Sequence, residues 1–479
     1  MVHRNPVNHQ GRLYLAVPYS ERKAAKAAGA LWDKTAKSWY AGDTADRSRL
    51  IKWLPDQVTV QQTPALSPRE EFAEAMRELG CLVTGHHPVM DGTTHRIATT
   101  GDKPHEKAGF YVGHLDGHPG GYIENNRTGE KMKWKAKGYS LSEVEKAQLQ
   151  AESAAKQQAR EAAHQARQDQ VARSVRALLA VAPIATSDHP YLQSKQARPG
   201  DLQVVPKDSS GLPANAAILI GLDAKDSKVL RESNPDKLVF TAGDLLLAAQ
   251  DINGEIRSVQ TIQPNGLKRF AAGGAKQDTF HVVGGQGLDA LAKAPAIVIA
   301  EGYATADTLS QSLGYATVAA FDAGNLPSVA RLLHNKFPDK PFIIAGDNDL
   351  HQELTEGRNP GKEKAQAAAN AVNGLAIFPI FAPGEQAYPA DLKPITPGIA
   401  RSGNLSDEQK AAITTMKSFT DFNDLATKSV LGMSGVERQV IPLVNSLIIR
   451  NQPPIEIKHQ QASVVKVESQ PVQRKAVNR

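Results

Sequence analysis

Three acidic residues in the second half of the chain have the types and spacing of a metal-binding site. Glu301 follows an apolar run at 295–300, and Asp347 and Asp349 follow another at 341–345. Because residues i and i+2 of an extended segment point the same way, Asp347 and Asp349 can present two carboxylates to one point. With a glutamate from a neighbouring strand end they would form a hard-oxygen cluster suited to Mg²⁺ or Mn²⁺. Such a cluster can polarise phosphate oxygens and activate an attacking hydroxyl.

The surrounding sequence alternates apolar runs with helical patterns. Strands are predicted at 295–300, 315–321, 341–345 and 375–380, and helices at 303–313, 325–337 and 362–372. This alternation predicts a parallel sheet, whose ligands bind beyond the carboxyl ends of the strands. An isolated acid at a strand end is usually a helix cap or a solvated loop residue. Three acids at successive strand ends favour metal binding instead.

Two motifs around these acids resemble those of a known enzyme family. Residues 301–306 read EGYATA, the signature of primases carried by conjugative plasmids and satellite phages. The Asp-Asn-Asp at 347–349 is similar to the second half of the Toprim motif, which is shared by primases, topoisomerases and some nucleases. The resemblance implies that Glu301 is the catalytic glutamate and that Asp347 and Asp349 form the metal-binding pair.

The segment after these acids carries one motif of the family and lacks another. Residues 359–364 (NPGKEK) resemble the family, which makes Lys362 a candidate nucleotide- or DNA-binding residue. Residues 357–362 have three residues between the glycines where a Walker A loop has four, and Glu363 stands in place of the Ser or Thr that would hold Mg²⁺. An ATP-driven helicase domain is therefore not expected.

Ahead of the acids, the sequence predicts a twisted antiparallel sheet. Runs at 244–250 and 255–262 are separated by a tight turn and are typical of a hairpin. A loop near the acidic site is expected to carry cations that hold template phosphates or an incoming triphosphate, namely Lys268, Arg269 and Lys276. The alternative is an ordinary hairpin with solvated lysines. The acids downstream favour the N-terminal half of a primase core.

Three further acids, Asp322, Asp421 and Asp424, are candidate outer carboxylates of the same site. Residues 421–424 (DFND) resemble the acidic motif that follows Toprim in several primases. An equally favoured alternative is that Asp421 or Asp424 caps a helix predicted at 425–428.

The N-terminal module, residues 1–60, combines aromatic and basic residues. Trp32, Trp39 and Tyr40 lie among an excess of lysine and arginine. This pattern suits a nucleic-acid surface, on which bases stack on rings and phosphates meet cations. The slightly favoured alternative is that the tryptophans are the core of a very small domain. The module resembles one of unknown role that often precedes such primases.

Six of the fourteen histidines lie between His86 and His118 and raise the alternative of a zinc site. Their spacings are irregular, and only Cys81 could add a thiolate, so zinc is not favoured. Many related primases carry a cysteine zinc ribbon early in the chain, and one cysteine cannot form it.

Length and composition predict a protein of several domains. The 479 residues are 41% hydrophobic and 22% charged, with a net charge of +6, which is mild support for a polyanionic partner. A polar start and the lack of an 18-residue apolar run predict no membrane partner and a cytoplasmic location.

The expected fold is multidomain, α/β and α+β. In chain order we expect an α+β module (1–60), a linker (61–79), a β-rich module (80–136), a long helical spacer (137–180), the N-terminal half of a primase core (181–290), a Toprim-like parallel-sheet domain (291–384), a C-terminal loop and helices (385–449) and a disordered basic tail (450–479).

The resemblance implies a DNA primase that copies a single-stranded DNA template into a short RNA primer from ribonucleoside triphosphates. Mg²⁺ or Mn²⁺ would be the cofactor, a mobile element the setting, and a helicase or single-strand-binding protein acting in trans a candidate partner. A Toprim nuclease or topoisomerase is one alternative. A topoisomerase needs a tyrosine nucleophile in a separate DNA-gate domain, and no motif in the sequence indicates one. A non-catalytic DNA-binding accessory protein is another, which the intact acids disfavour.

Overall fold

The structure is a computed structural model that describes residues 12–43, 45–55, 67–102, 106–136 and 143–451. The chain divides into two compact units, with the boundary between Arg167 and Gln168. Nearly all of the predicted basic tail (450–479) and the first part of the predicted linker (61–66) lie outside the described residues.

The first unit begins with a small sheet packed against short helices. Its elements are β1 (Tyr14–Leu15), a 3₁₀ turn (Tyr19–Glu21), α1 (Arg22–Ala27), β2 (Ala30–Asp33), β3 (Ser38–Ala41), α2 (Arg47–Leu50) and a second 3₁₀ turn (Ile51–Trp53). The strands are antiparallel in the order β1–β3–β2. Leu15, Leu50 and Trp53 are almost fully buried and form the centre of its core. The described part of this module thus contains both helices and strands.

A helix occupies most of the segment for which a linker was predicted. The helix α3 (Pro68–Glu78) begins with a capping box, in which Ser67 and Glu70 satisfy each other's backbone N–H groups. Phe72 and Met76, one turn apart, are fully buried against the following sheet. The linker prediction was wrong here because the polar residues at 67–71 form a helix start.

The segment for which a β-rich module was predicted contains a four-stranded antiparallel sheet. Its strands follow one another in space as in sequence: β4 (Asp91–Ile97), β5 (Gly109–His114), β6 (Gly120–Asn125) and β7 (Glu130–Lys135). Tyr111 and Ile123 face each other across β5 and β6 and are fully buried.

The predicted long helix is α4 (Glu143–Val181), which spans 39 residues. It was expected to be solvated along most of its length, and this holds only for its middle. Ala147, Ala151 and Ala154 pack against the first unit, and Val171 and Leu178 are fully buried in the second. The helix is therefore part of both cores and is not a free spacer.

The first half of the second unit contains the predicted antiparallel sheet. Its elements are α5 (Pro190–Lys195), β8 (Gln203–Val204), a 3₁₀ turn (Ala214–Ala216), β9 (Ile218–Gly221), α6 (Ala224–Ser233), β10 (Leu238–Thr241), β11 (Leu245–Gln250), β12 (Ile256–Ile262) and β13 (Lys268–Phe270). The sheet has the order β13–β12–β11–β8, and β9 and β10 form a separate parallel pair.

The second half contains the predicted parallel sheet. Its elements are β14 (His281–Val283), α7 (Gly287–Lys293), β15 (Ile297–Ala300), α8 (Tyr303–Leu313), β16 (Thr317–Ala319), α9 (Leu326–Lys336), β17 (Phe342–Ala345), α10 (Leu350–Glu356), α11 (Pro360–Asn370) and β18 (Leu375–Ile377). The order is β14–β16–β15–β17–β18, and all strands are parallel except the edge strand β14. Ile297 and Ile299 pack on one face, and Val298 and Ala300 on the other. Burial on both faces explains why these strands are apolar at every position.

The C-terminal part is more helical than predicted. The long loop expected after 384 contains α12 (Pro397–Arg401) and α13 (Asp407–Met416), which are followed by α14 (Phe422–Thr427) and α15 (Gly432–Asn451). A second capping box, between Ser406 and Gln409, starts α13. None of the helices in the described part of the chain is long and apolar enough to cross a membrane.

Candidate active site

Three neighbouring parallel strands deliver acidic residues to one edge of the sheet. Ala300 at the end of β15 is paired with Ala345 of β17 on one side and with Ala319 of β16 on the other. Glu301 leaves β15 directly, whereas Asp347 and Asp322 follow β17 and β16 after one and two intervening residues. The three acids therefore follow strands that are neighbours in the sheet.

The carboxylate of Asp347 is buried among other negative charges at this edge. Its Oδ1 atom is buried and has no hydrogen-bond partner among the described residues. Burial, followed by the negative charges of Glu301, Asp421 and Asp349, raises the pKa of Asp347 well above its ordinary value. A positive charge bound at this position would offset both effects.

Glu301 lies in the same electrostatic environment. The pKa of Glu301 is raised to about 7: burial makes the largest contribution, the nearby Lys268 opposes it, and the charges of Asp349 and Asp322 add to it. A carboxyl group with a pKa near neutrality can exchange a proton at physiological pH.

The NPGKEK motif positions the Asp347–Asp349 segment. Asn359 caps α11, and its Oδ1 atom also accepts a hydrogen bond of 3.1 Å from the backbone N–H of Asp349. The backbone N–H of Gly361 donates to Asp349 Oδ2 over 3.3 Å. A Cβ atom on Gly361 would lie 2.7 Å from the backbone oxygen of Asp347, so only glycine fits there. Asn359 and Gly361 were not among the predicted site residues, although the motif that contains them was.

The DFND motif contains the cap of a helix. Asp421 caps α14 by accepting a hydrogen bond of 2.7 Å from the backbone N–H of Asp424, so the helix begins three residues earlier than predicted. Burial, and then the charge of Asp424, raises the pKa of Asp421, which in turn raises the pKa of Asp347. Asp424 forms ion pairs with Lys428 at 2.8 Å and Lys195 at 3.4 Å. Asp421 thus lies beside the acidic site, and Asp424 lies behind it.

Part of the segment predicted to be a cation-bearing loop is a strand, β13. Its cations lie in two different places. Lys268 and Arg269 lie on β13, where their side chains point to opposite faces because they are neighbours in a strand. Lys268 Nζ is 3.1 Å from the position that a Cβ of Gly302 would take, which places it beside Glu301. Lys276, which does lie on a loop, forms an ion pair with Asp322.

Arg269 lies away from the acids, contrary to the prediction. It lines a separate cleft of about 360 Å³ together with Arg231 and Lys237. Asp244 lies in the same cleft, and burial raises its pKa to about 6. This cleft has the excess of cations that suits a phosphate group.

Lys362 lies in the first turn of α11 and is exposed. Its Nζ atom is 6.0 Å from the centre of the Phe378 ring, and its backbone N–H donates to Asn359 Oδ1. The side chain is therefore next to the acidic segment without contacting it.

The residues at this edge fit a hard divalent cation by their chemistry. No three His, Cys, Asp or Glu side chains of the described residues already stand in the arrangement of a metal site. The donor set nevertheless consists of carboxylates, which are the ligands that Mg²⁺ and Mn²⁺ prefer. The buried oxygen of Asp347 without a partner, and the mutual repulsion that raises the pKa of two of these acids, are both relieved by bound positive charge.

Three histidines of the β-rich module have polar partners that are not metal ions. His87 Nδ1 is 2.6 Å from the hydroxyl of Tyr111, and His95 Nε2 is 2.9 Å from a carboxylate oxygen of Asp91. His118 Nε2 is 2.9 Å from the carbonyl oxygen of Ala136. His105 is outside the described residues. These contacts give the zinc alternative no support.

Comparisons with known proteins relate most of the chain to primases. Residues 12–55 match the family described as Domain of unknown function (DUF5710). A DNA primase TraC of Escherichia coli is 49% identical over 474 residues, which is 92% of this chain and 41% of that protein. A second DNA primase TraC of Escherichia coli is 47% identical over 464 residues, covering 90% of this chain and 30% of that protein. The chain spans less than half the length of either relative.

A solved structure of the DnaG primase catalytic domain bound to single-stranded DNA is 15% identical, with a TM-score of 0.30, and the match covers 60% of this chain and 95% of that one. A TM-score this low does not establish a shared fold. The identity to the Escherichia coli proteins, in contrast, extends along nearly the full sequence. This chain is accordingly a homologue of a part of the DNA primases named TraC.

Proposed function

We propose that this chain is a DNA primase that joins ribonucleotides on a single-stranded DNA template, with a divalent cation, Mg²⁺ or Mn²⁺, at the acidic edge of the parallel sheet. The observation that carries the proposal is the convergence of Glu301, Asp347 and Asp349 at two adjacent strand ends, within a chain homologous to part of a primase. The EGYATA-type and Toprim assignments, and a role in plasmid or mobile-element replication or transfer, belong to the same proposal.

In the proposed reaction, the 3′ hydroxyl of one nucleotide attacks the α-phosphate of the next nucleoside triphosphate. A phosphodiester bond forms as the bond between the α- and β-phosphates breaks, and pyrophosphate leaves. Asp347 and Asp349 would hold the cation, which when bound polarises phosphate oxygens and lowers the pKa of an attacking hydroxyl. Glu301 completes the ligand set and is assigned as general base, because its pKa near 7 allows it to accept a proton at physiological pH. Asp322, Asp421 and Asp424 act as outer carboxylates that contribute negative charge.

We assign different roles to the basic residues near the site. Lys268, beside Glu301, would hold a phosphate at the reacting end. Arg269, which lines a cleft with Arg231 and Lys237, would hold a phosphate farther along a bound strand or triphosphate. Lys276 is held by Asp322, and Lys362 is exposed at the start of α11. The template would be single-stranded DNA. A helicase or a single-strand-binding protein acting in trans would supply it.

Primer synthesis from purified components tests the proposal. The chain is incubated with single-stranded DNA, Mg²⁺ and labelled ribonucleoside triphosphates, and the expected products are short labelled RNAs that depend on template and metal. Template shortening without synthesis would instead support the alternative of a Toprim nuclease or topoisomerase-like enzyme. DNA binding with neither reaction would support a non-catalytic accessory protein.

Lys268 and Arg269 are expected to give different kinetic effects although they are adjacent. Lys268→Ala should lower the rate of primer synthesis and move the acidic limb of its pH profile to higher pH, because Lys268 lowers the pKa of Glu301. Arg269→Ala should raise the concentration of template or nucleotide needed for half-maximal rate and leave the pH profile in place. Steady-state kinetics across pH separates the two.

The matched variant Lys268→Arg keeps the positive charge and should keep the wild-type pH profile. Equal pH profiles for Lys268→Ala and Arg269→Ala would contradict the assignment of these side chains to different places.

A further inference from the structure

The N-terminal module has a cleft lined by aromatic side chains, two of which, Tyr19 and Trp32, are exposed. The cleft has a volume of about 510 Å³ and lies within the first unit, lined by Tyr19, Arg22, Trp32 and Trp39 and by Gln150 of α4. Its volume is in the range of pockets that bind small ligands. The family that matches residues 12–55 has no assigned function.

The aromatic side chains of this cleft are more exposed than packing requires. Trp53, which is 3% exposed, fills the core, whereas Trp32 is 47% and Tyr19 67% exposed. Trp32 contacts the ring of Trp39 edge to face at 5.5 Å, and Trp39 packs against the core. The sequence-based preference for a purely structural role therefore holds for Trp39 only in part and was wrong for Trp32.

The positive charge at the cleft favours a negatively charged ligand. The wall of the cleft contains the guanidinium of Arg22, which lies over the Tyr19 ring at 3.9 Å, and the lining residues whose side chains the structure describes include no carboxylate. Lys23 and Lys26, on the same short helix, are exposed. A stacked arginine and tyrosine, next to an exposed tryptophan and further cations, present flat π-faces for bases and positive charge for phosphates.

We propose that this cleft is a second site for single-stranded DNA, in which unpaired bases stack on Trp32 and Tyr19 and the adjoining phosphates contact Arg22, Lys23 and Lys26. The site lies in a different unit from the carboxylates and goes beyond the proposed function, because binding here requires neither metal nor nucleotide. Double-stranded DNA is excluded from the stacking contacts, since its bases are already stacked within the duplex.

Binding by the full chain is measured through the fluorescence anisotropy of a labelled oligodeoxythymidylate. Loss of one base–aromatic stack should weaken binding roughly fivefold to a hundredfold in Trp32→Leu. Trp32→Phe keeps a ring and should bind within about twofold of wild type. The matched control is Leu31→Ala, at a neighbouring position that is also 49% exposed but does not line the cleft, and it should bind as wild type.

Arg22→Ala is a second variant whose folding is not in doubt, because the position is exposed. It should weaken binding and flatten the dependence of affinity on salt, since one phosphate contact fewer releases fewer counterions. Affinity for a duplex of the same length should change little in Trp32→Leu.

Photo-crosslinking locates the contact directly. An oligonucleotide with 5-iodouracil in place of thymine should crosslink to the peptide that contains Tyr19 or to the one that contains Trp32. Wild-type affinity of Trp32→Leu, crosslinks confined to the second unit, or equal weakening by Leu31→Ala would each overturn the proposal. The test is independent of catalysis: a chain that makes no primers but crosslinks at Trp32 would refute the proposed function and leave this site standing.

Discussion

Replacing Asp347 by asparagine should reduce primer synthesis about a hundredfold or more while the protein still folds and still binds its template. The change keeps the size of the side chain and removes the negative charge on which metal affinity depends. Template binding should persist, because removing an acid cannot weaken attraction for a polyanion. The measurement is the rate of labelled primer formation at saturating template, together with oligonucleotide affinity.

Asp349→Asn and Glu301→Gln should have effects of the same order. Asp339→Asn is the matched control: this exposed acid precedes β17, at the opposite end of the strand that delivers Asp347, and its loss should not change the rate. If the three site variants make primers at the wild-type rate, the carboxylates are not the catalytic centre. Loss of folding without loss of specific activity would instead assign them a capping role.

Without divalent metal, the free energy of unfolding should decrease as the pH rises from about 4 to about 7. Burial raises the pKa of Glu301 from 4.5 to about 7 and raises that of Asp347 as well, so these two groups hold more protons in the folded state than in the unfolded state in this interval. Stability therefore falls wherever the folded state must release those protons. At about 1.4 kcal/mol per pH unit, the Glu301 shift alone corresponds to roughly 3 kcal/mol.

Mg²⁺ should restore the stability lost at high pH, because it binds the ionised folded state. Asp347→Asn should show a shallower pH dependence and a smaller response to Mg²⁺, whereas Asp339→Asn should behave as wild type. Urea unfolding in chelator, with and without Mg²⁺, is best followed by circular dichroism. All four tryptophans (Trp32, Trp39, Trp53 and Trp134) precede the second unit, so their fluorescence reports on the first. Equal stability at pH 5 and pH 8 in chelator would contradict the crowding of these acids.

The parallel sheet and its acids could be predicted because their signals are local. Runs such as 341–345, apolar at nearly every position and followed by a glycine and acids, are typical of strands buried on both faces. The capping residues Ser67 and Ser406 were also visible in the sequence, yet helices were not predicted there. Their neighbourhoods are polar, and the apolar residues that bury α3 and α13 are few.

The arrangement of the site could not be predicted in the same way. That Lys268 lies beside Glu301 while Arg269 does not depends on how the edge of one sheet meets the end of another, and these residues are more than thirty positions apart in sequence. The role of Gly361 likewise depends on the close approach of α11 to the backbone of Asp347. The resemblance to primases is confirmed by the homology, whereas the Toprim assignment and the individual residue roles remain predictions.

The length of the turn between β12 and β13 determines which cation of β13 faces the acids. Ile262 is paired with Lys268 and Thr261 with Arg269, and the turn between them is closed by a hydrogen bond from the backbone N–H of Gln263 to the backbone oxygen of Leu267. Inserting a single residue here, with β12 held in place, would turn Arg269 toward the acids and Lys268 toward the other cleft. Substitutions in the turn leave that assignment intact, so this segment should tolerate changes of residue type but resist insertions and deletions of one residue.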